Sequence, residues 1–252
     1  VRLSPTQKVG QEAEALKAQG MDIINLGPGE PDFDTPPHIK EAARAALNDN
    51  FTRYTANVGI VELREAICQR YSQDYGFTSN VKNVIVSAGG KQALFNVAMA
   101  LLNPGDQVIV HAPGWPTIVD QIRLVGAEPA VVRTHPEDGF KVGATQIIEA
   151  LTPRTRMIVI NSPGNPTGGL ISEEDLRQIA VTVENRGIWI TLDLCYERLV
   201  YDDKPHNLPA VLQKILPTRC VLVGSLSKTY AMTGWRCGWA IGPRELIDAC
   251  SN

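Results

Sequence analysis

The sequence predicts an α/β fold in which a mostly parallel sheet is covered by helices on both faces. Short apolar runs, such as residues 84–87, 157–160 and 188–192, alternate along the chain with stretches at helical spacing. The runs are continuously apolar, which is typical of strands buried on both faces. With 252 residues, the chain is long enough for one large domain with a sizeable core.

The first elements read as helices around a Gly/Pro cluster. Leu63, Ala66, Ile67 and Arg70 lie at helical spacing, and Pro at the first turn is a common way to begin a helix. The predicted elements are a helix from Ser4 to Gln19, a short strand at 22–26, a turn at 27–32, and helices at 36–47 and 59–75.

From residue 84 onward, strands and helices alternate. The pair Ser172 and Asp175 has the spacing of a helix N-terminal capping box. The predicted strands are 84–87, 108–110, 130–132, 157–160, 188–192, 220–223 and 239–241, with helices at 92–102, 172–185 and from Pro243 onward. The chain ends a few residues into that last helix, so we expect the sequence to stop within a domain.

The composition excludes several classes of function. Lys and Arg total 24 against 27 Asp and Glu, a formal charge of -3, so we expect no nucleic-acid partner. We expect no membrane partner, because no apolar run reaches the roughly 18 residues of a membrane helix. The five cysteines form no C-x-x-C pair and the four histidines have no metal-ligand spacing, so we expect a reducing cytoplasm and no metal.

The strongest chemical signal follows the strand at 220–223. Lys228 is preceded by Ser225 and Ser227, and Arg236 follows eight residues later. A lysine amine can form a Schiff base with a carbonyl cofactor, and hydroxyl and guanidinium groups can hold its phosphate. The alternative is a solvated lysine and arginine in a loop.

Two further clusters follow neighbouring apolar runs. Asp193 ends the run at 188–192, and Tyr196 lies three residues on. An acid there suits the protonated ring nitrogen of pyridoxal phosphate, and Tyr196 could donate to the ring oxygen. Asn165, in the turn-rich segment 161–168, could bind the same oxygen. The alternatives are core packing for Tyr196, a turn role for Asp193 and an Asx turn for Asn165.

The remaining clusters are weaker individually. Gly89, Gly90 and Lys91 stand where a strand meets a helix, and free N–H groups at a helix N-terminus bind phosphate. The segment is not a Walker A loop, because Gln92 replaces the Ser or Thr that would bind magnesium. Trp115 could stack on a flat ring, although a tryptophan is more often core. Together, the five clusters supply the parts of a pyridoxal phosphate site.

These residues resemble those of the class I, fold type I, pyridoxal phosphate-dependent aminotransferases, in the bacterial aspartate aminotransferase-like branch. The segments that carry the resemblance are SLSKTYAMTGWR at 225–236, NSPGNPTG at 161–168, GPGEPDFDTP at 27–36 and GGKQALF at 89–95. The resemblance covers essentially the whole chain.

The resemblance implies a large domain with a seven-stranded, mostly parallel sheet. We expect residues 1–35 to contribute to a small domain and residues 36–252 to form the large cofactor-binding domain. Family members carry a C-terminal small-domain segment with an arginine for the substrate α-carboxylate, and this chain stops before it. We expect only an N-terminal piece of the small domain to be present.

The resemblance also implies a role for each candidate residue. Lys228 would carry the Schiff base and move the α-proton, and Asp193 would pair with the ring nitrogen. Tyr196 and Asn165 would bind the ring oxygen. Trp115 would stack on the ring, and Gly29 would help to position the substrate carboxylate. Tyr54 would reach the phosphate of the partner subunit in a homodimer with shared sites. The phosphate would be bound by Gly89, Gly90, Lys91, Ser225 and Arg236.

The implied activity moves an amino group from an L-amino acid, aspartate-like by resemblance, to a 2-oxo acid. Leu194, Cys195 and Gly114 depart from the residues that relatives usually carry. Three alternatives remain open: a carbon–sulfur lyase of the same fold, a cofactor-sensing domain of a transcription regulator, and a catalytically incomplete fragment that binds the cofactor.

Overall fold

A computed structural model describes residues 5–24, 27, 29–201 and 207–252. Within these residues the helices are α1 Pro5–Ala18, α2 Pro37–Asn48, α3 Val61–Tyr75, α4 Gly90–Leu101, α5 Pro116–Leu124, α6 Ala144–Glu149, α7 Glu173–Val183, α8 Leu208–Ile215, α9 Leu226–Thr229 and α10 Arg244–Ser251. The strands are β1 Val84–Ser87, β2 Gln107–Ala112, β3 Glu128–Arg133, β4 Thr155–Asn161, β5 Trp189–Asp193, β6 Cys220–Ser225 and β7 Gly238–Ile241.

The strands form one seven-stranded sheet in the order β1-β7-β6-β5-β4-β2-β3. Strands β3, β2, β4, β5 and β6 are parallel neighbours, and β7 runs antiparallel to both β1 and β6. The predicted mostly parallel sheet is therefore confirmed.

Both faces of the sheet are covered, as the continuous apolar runs predict. Along β4, Ile158 and Ile160 point into a core shared with α3, α6, α7 and α8. Met157 and Val159 point into the opposite core, which α4, α5 and α10 close. Side chains that alternate along a strand therefore serve different cores, and the sheet lies between two helical layers.

Several predicted elements differ from the structure. Residues 22–24 of the expected strand have no strand partner, so that prediction is wrong where it can be tested; Asn25 and Leu26 lie outside the described residues. So do Ser4, the predicted start of the first helix, and Pro28 in the Gly/Pro cluster. Helix α4 begins two residues earlier than predicted, at Gly90.

Helices α5, α6, α8 and α9 were not expected. Helix α5 begins with Pro116 and buries only Ile118 and Ile122, and α8 has a Pro within its first turn. The predicted cap at Ser172 is confirmed, because its Oγ accepts a hydrogen bond from the Asp175 N–H at 3.0 Å. Over the part of the chain that the structure describes, no helix is long and apolar enough to cross a bilayer.

Candidate active site

The carboxyl ends of four parallel strands meet at one edge of the sheet. His111, Asn161, Asp193 and Ser225 lie at or next to the ends of β2, β4, β5 and β6. Asn161 and Asp193 are direct register partners, and β5 pairs with β6 along its length. Ligands of open α/β sheets bind at this edge, so the candidate site lies here.

Lys228 stands on a one-turn helix that follows β6. The Ser225 Oγ caps this turn by accepting the Ser227 N–H at 3.0 Å, and it lies 2.8 Å from the Ser227 Oγ. The half-buried Lys228 Nζ donates to the Gly29 carbonyl oxygen. Burial lowers the pKa of Lys228, and Arg236 adds to this, while Glu30 and Cys195 oppose it. A larger share of uncharged amine follows than for an exposed lysine.

The segment around Gly29 lies over the loop that follows Lys228. The Glu30 carboxylate accepts a hydrogen bond from the Thr233 Oγ1 at 2.8 Å. The Thr35 Oγ1 donates to the Ala231 carbonyl at 2.5 Å and accepts from the Trp235 indole N–H at 3.1 Å. These contacts place the predicted substrate-carboxylate residue, Gly29, beside the amine of Lys228.

Asp193 places a buried carboxyl group at the end of β5. The residue is 3% exposed, and its Oδ1 accepts the Cys195 N–H at 3.1 Å. Burial raises the pKa of Asp193, although the Cys195 contacts act in the opposite direction. A buried carboxylate is costly without a cation, so this position favours a positively charged partner.

Asn165 and Tyr196 meet although 31 residues separate them. The Asn165 Nδ2 donates to the Tyr196 hydroxyl at 3.0 Å, so the predicted pair is brought together. Burial raises the pKa of Tyr196 to about 12, with Cys195 and Asp193 contributing. The phenol therefore keeps its proton at neutral pH and remains a hydrogen-bond donor.

Asn161 holds this part of the site together. Its Oδ1 accepts the Asn165 N–H at 2.7 Å, and its Nδ2 donates to the Asp193 carbonyl at 3.3 Å. Its own N–H donates to the His111 Nε2 at 3.1 Å. The side chain thus fixes the backbone of two candidate residues at once.

The N-terminus of α4 forms a cradle against the end of β6. Gly89 has a φ of +88°, and a Cβ there would lie 2.5 Å from the Arg236 Nη2. A Cβ on Gly90 would lie 2.8 Å from the Cys195 Sγ and 3.7 Å from the Ser225 Cβ. The first N–H groups of a helix have no acceptor within it. The glycines therefore leave these N–H groups, a guanidinium and a hydroxyl close together.

Trp115 and Lys91 lie next to each other beside this cradle. The Lys91 Nζ is 5.1 Å from the centre of the Trp115 ring, within the range of a cation–π contact. His111, Gly114 and Asn161 line the adjacent small cavity of about 50 Å³ with Trp115. A Cβ on Gly114 would collide with the His111 carbonyl oxygen, so this loop conformation requires glycine.

Tyr54 is the one predicted site residue that lies away from this edge within the described chain. Its side chain is fully exposed, at 108%. Its expected role was toward a partner subunit, and it makes no contact with Lys228 or the α4 N-terminus among the described residues. That role stays a prediction.

Sequence reasoning gave no role to His111, to the Cys195 contact with Asp193, or to Arg70 and Glu197. A single histidine in an apolar run is typical of the core, and β2 extends two residues beyond its predicted end to include His111. Burial lowers the pKa of His111.

Among the described residues there is no group of three or more His, Cys, Asp or Glu side chains arranged to hold a metal.

The profile of the family described as aminotransferase class I and II matches residues 21–252. The chain belongs to this family, whose members depend on pyridoxal phosphate. The predicted family resemblance is confirmed.

Within the family, the chain is similar to proteins named aspartate or aspartate/prephenate aminotransferases. The chain is 44% identical over 250 residues to an aspartate/prephenate aminotransferase of Cereibacter sphaeroides, and 42% identical over 251 residues to an aspartate aminotransferase of Streptomyces avermitilis. These matches cover 99% of this chain and 62% and 61% of those proteins. The chain therefore spans about three fifths of the length of these relatives.

A solved structure has the same fold. The aspartate aminotransferase of Thermus thermophilus with maleate superposes with a TM-score of 0.94 at 41% identity. The match covers 99% of this chain and 64% of that one.

The residues at the sheet edge fit the family's cofactor chemically. The α4 N-terminus and Arg236 provide the N–H donors and positive charge that a phosphate requires. Asp193 provides a buried carboxyl group for a cationic ring nitrogen, and Asn165 with Tyr196 provides donors for a ring oxygen. Lys228 provides the amine.

Proposed function

We propose that this chain is the cofactor-binding part of an aminotransferase. It would move an amino group from an L-amino acid to a 2-oxo acid with pyridoxal phosphate linked to Lys228. The observation that carries the proposal is that a half-buried amine and a buried carboxyl group follow neighbouring parallel strands. The Lys228 amine follows β6 and the Asp193 carboxyl ends β5, so a flat cationic ring bound between them would contact both.

The chain's own residues would hold the cofactor at three points. The N–H groups of Gly90 and Lys91, with the Ser225 hydroxyl and the Arg236 guanidinium, would bind the phosphate. The Gly89 N–H donates to the Ser87 carbonyl at 2.8 Å and would have to leave it to join them. Asp193 would pair with the ring nitrogen, while Asn165 and Tyr196 would bind the ring oxygen and Trp115 would stack on the ring. When bound, pyridoxal phosphate supplies an electron sink for a broken bond at the substrate α-carbon.

Lys228 would move the proton. Its lowered pKa favours the uncharged amine, which can accept the α-proton at Nζ and return it elsewhere. The Gly29 carbonyl accepts from Nζ in this structure and would help to orient the amine. The Gly29 backbone would also lie close to the substrate carboxylate.

An aspartate-like donor is favoured because the relatives named above are called aspartate or aspartate/prephenate aminotransferases. We further propose a cytoplasmic homodimer in which the exposed Tyr54 reaches the partner's phosphate. In this proposal, residues 1–35 contribute to a small domain and residues 36–252 form the large one. The charge of -3 favours small-molecule substrates over nucleic acid.

Product analysis tests the reaction. The cofactor-loaded chain is mixed with L-aspartate and no 2-oxo acid, and the visible absorbance and the oxo-acid product are measured. Transamination predicts one equivalent of oxaloacetate per site and loss of the visible band, with renewed turnover when 2-oxoglutarate is added. Continuous release of thiocysteine, pyruvate and ammonia from L-cystine, with no acceptor, would instead identify a carbon–sulfur lyase.

A further inference from the structure

A buried ion pair lies behind the candidate site and takes no part in the chemistry proposed above. Arg70 on α3 donates from Nη2 to the Glu197 Oε1 at 2.6 Å. The Tyr75 hydroxyl donates to the other carboxylate oxygen at 2.7 Å. The Glu197 side chain is 1% exposed and that of Arg70 is 14% exposed. Glu197 directly follows Tyr196, so the pair anchors the turn that carries the predicted ring-oxygen ligand.

The same guanidinium also packs against the loop of Lys228. The Arg70 Cζ lies 5.9 Å from the ring centre of Tyr230 and 6.0 Å from that of Trp239. Tyr230 is two residues beyond Lys228. The Trp239 ring lies flat against Gly224, where a Cβ would be 2.5 Å from its nearest ring atom. Arg70 therefore contacts the loop that follows the lysine, and it contacts Trp239, which packs against the strand that precedes the lysine.

Stability alone does not account for this arrangement. Replacing a buried ion pair with apolar residues is often neutral or stabilising, because desolvation offsets the attraction. Arg70 Nη1 is buried and has no hydrogen-bond partner among the described residues, which adds to that cost. The face of α3 is already packed by Ile67 and Tyr71. An ion pair with a planar cation supplies directionality, which an apolar contact would not.

We propose that Arg70 is a positioning residue that holds the Tyr196 turn and the Lys228 loop in a fixed relation to each other. Its Nη2 holds the first segment through Glu197, and its guanidinium, over the rings of Tyr230 and Trp239, holds the second. The relevance to catalysis rests on the proposed function. The mechanical claim, that Arg70 holds the two segments in place, concerns the protein without cofactor.

Amide hydrogen exchange of the cofactor-free chain tests the mechanical claim. In Arg70→Met, exchange is expected to rise about tenfold or more in both segments 194–201 and 226–232, since hydrogen bonds to a charged group are lost. Tyr75→Phe removes a contact only from Glu197 and should affect the first segment alone. Tyr230→Leu removes only the aromatic contact and should affect the second segment alone.

Arg70→Lys separates the two halves of the proposal. A lysine keeps the charge beside Glu197 but lacks the flat face, so protection should return at 194–201 and remain low at 226–232. This variant also serves if Arg70→Met does not fold. Either variant would overturn the proposal by raising exchange uniformly over β4 and β5 as well, since that pattern indicates loss of global stability. No change at 226–232 in either variant would overturn it too.

A spectroscopic readout links the mechanical claim to the site. With pyridoxal phosphate added, the pH midpoint of the visible absorption should move in Arg70→Met and stay in place in an Arg44→Met control. Arg44 pairs with Glu41 at 3.0 Å on the exposed face of α2. Loosened loops with an unchanged midpoint would show that Arg70 acts on the fold but not on the site. Absence of visible absorption in the unaltered chain would count against the proposed function and leave the exchange result standing.

Discussion

Replacing Gly238 with alanine tests how tightly the phosphate cradle is built. Gly238 begins β7 and faces the junction between α4 and β6. A Cβ there would lie 2.5 Å from the Gly89 carbonyl carbon and 2.9 Å from the Gly224 carbonyl oxygen, and closer still to the Gly90 nitrogen. All three are backbone atoms, so no side-chain rotation can relieve the contact.

The expected cost follows from these distances. Ordinary van der Waals contact begins at 3.4 Å and the Gly90 nitrogen would lie at 2.4 Å, so the α4 N-terminus would have to move by about 1.0 Å relative to β6 and β7. Overpacking of a tight core costs about 1–3 kcal/mol, and the absence of a flexible neighbour places this case near the upper end. Because the displaced N–H groups are the proposed phosphate donors, we expect pyridoxal phosphate to bind at least about tenfold more weakly.

Two measurements check the prediction, with a neighbouring glycine as the control. Urea unfolding gives the change in the free energy of unfolding, and fluorescence titration with pyridoxal phosphate gives the change in Kd. Gly234→Ala should alter neither, because a Cβ at Gly234 has no atom within 4 Å. A Gly238→Ala chain that loses less than about 0.5 kcal/mol, the range of neutral surface changes, and binds the cofactor normally would refute the packing argument.

Three further substitutions test separate parts of the site. Asp193→Asn should weaken cofactor binding at least about tenfold in titrations, and equal Kd values would contradict this expectation. The same variant should be more stable than the unaltered chain in urea at pH 7.5 without cofactor. Burial raises the pKa of Asp193, so its ionisation in the folded chain is unfavourable above the unfolded value of 3.8. Tyr196→Phe removes the partner of the Asn165 amide, so Kd should rise roughly fivefold while urea stability falls by about 1 kcal/mol, and an unchanged Kd would argue against a ring-oxygen role. Burial lowers the pKa of His111 below 6.5, so the unfolded chain binds the extra proton and stability should fall as pH drops from 7.5 to 5.5; His111→Gln should flatten this slope, and parallel slopes would show that other groups cause it.

The sheet and its chemical edge were predictable because their signals are local. Continuous apolar runs mark strands buried on both faces, and polar residues at their ends mark the ligand edge. Asp193, Lys228, Asn165 and Tyr196 were found in this way. Their meeting follows from the parallel pairing of β4, β5 and β6.

The parts that were missed depend on contacts between distant segments. Helix α5 has a short apolar stripe opened by Pro116, which reads as a loop in isolation. The expected strand at 22–26 has apolar composition, but a strand needs a partner, and residues 22–24 have none. Arg70 and Glu197 are 127 residues apart, and each reads as an ordinary charged residue until the fold buries them together. No spacing rule would have paired them.

Labelling at Lys228 is the most direct test of the central claim. The chain is purified with pyridoxal phosphate, reduced with borohydride, digested, and mapped by mass spectrometry. The proposal predicts one cofactor on Lys228 and no label in Lys228→Ala. The label should be undiminished in Lys91→Ala, because the ammonium group of Lys91 lies over the Trp115 ring. A folded chain that carries the label on several lysines, or carries none while binding the cofactor tightly, would contradict the assignment of Lys228 as the reactive amine.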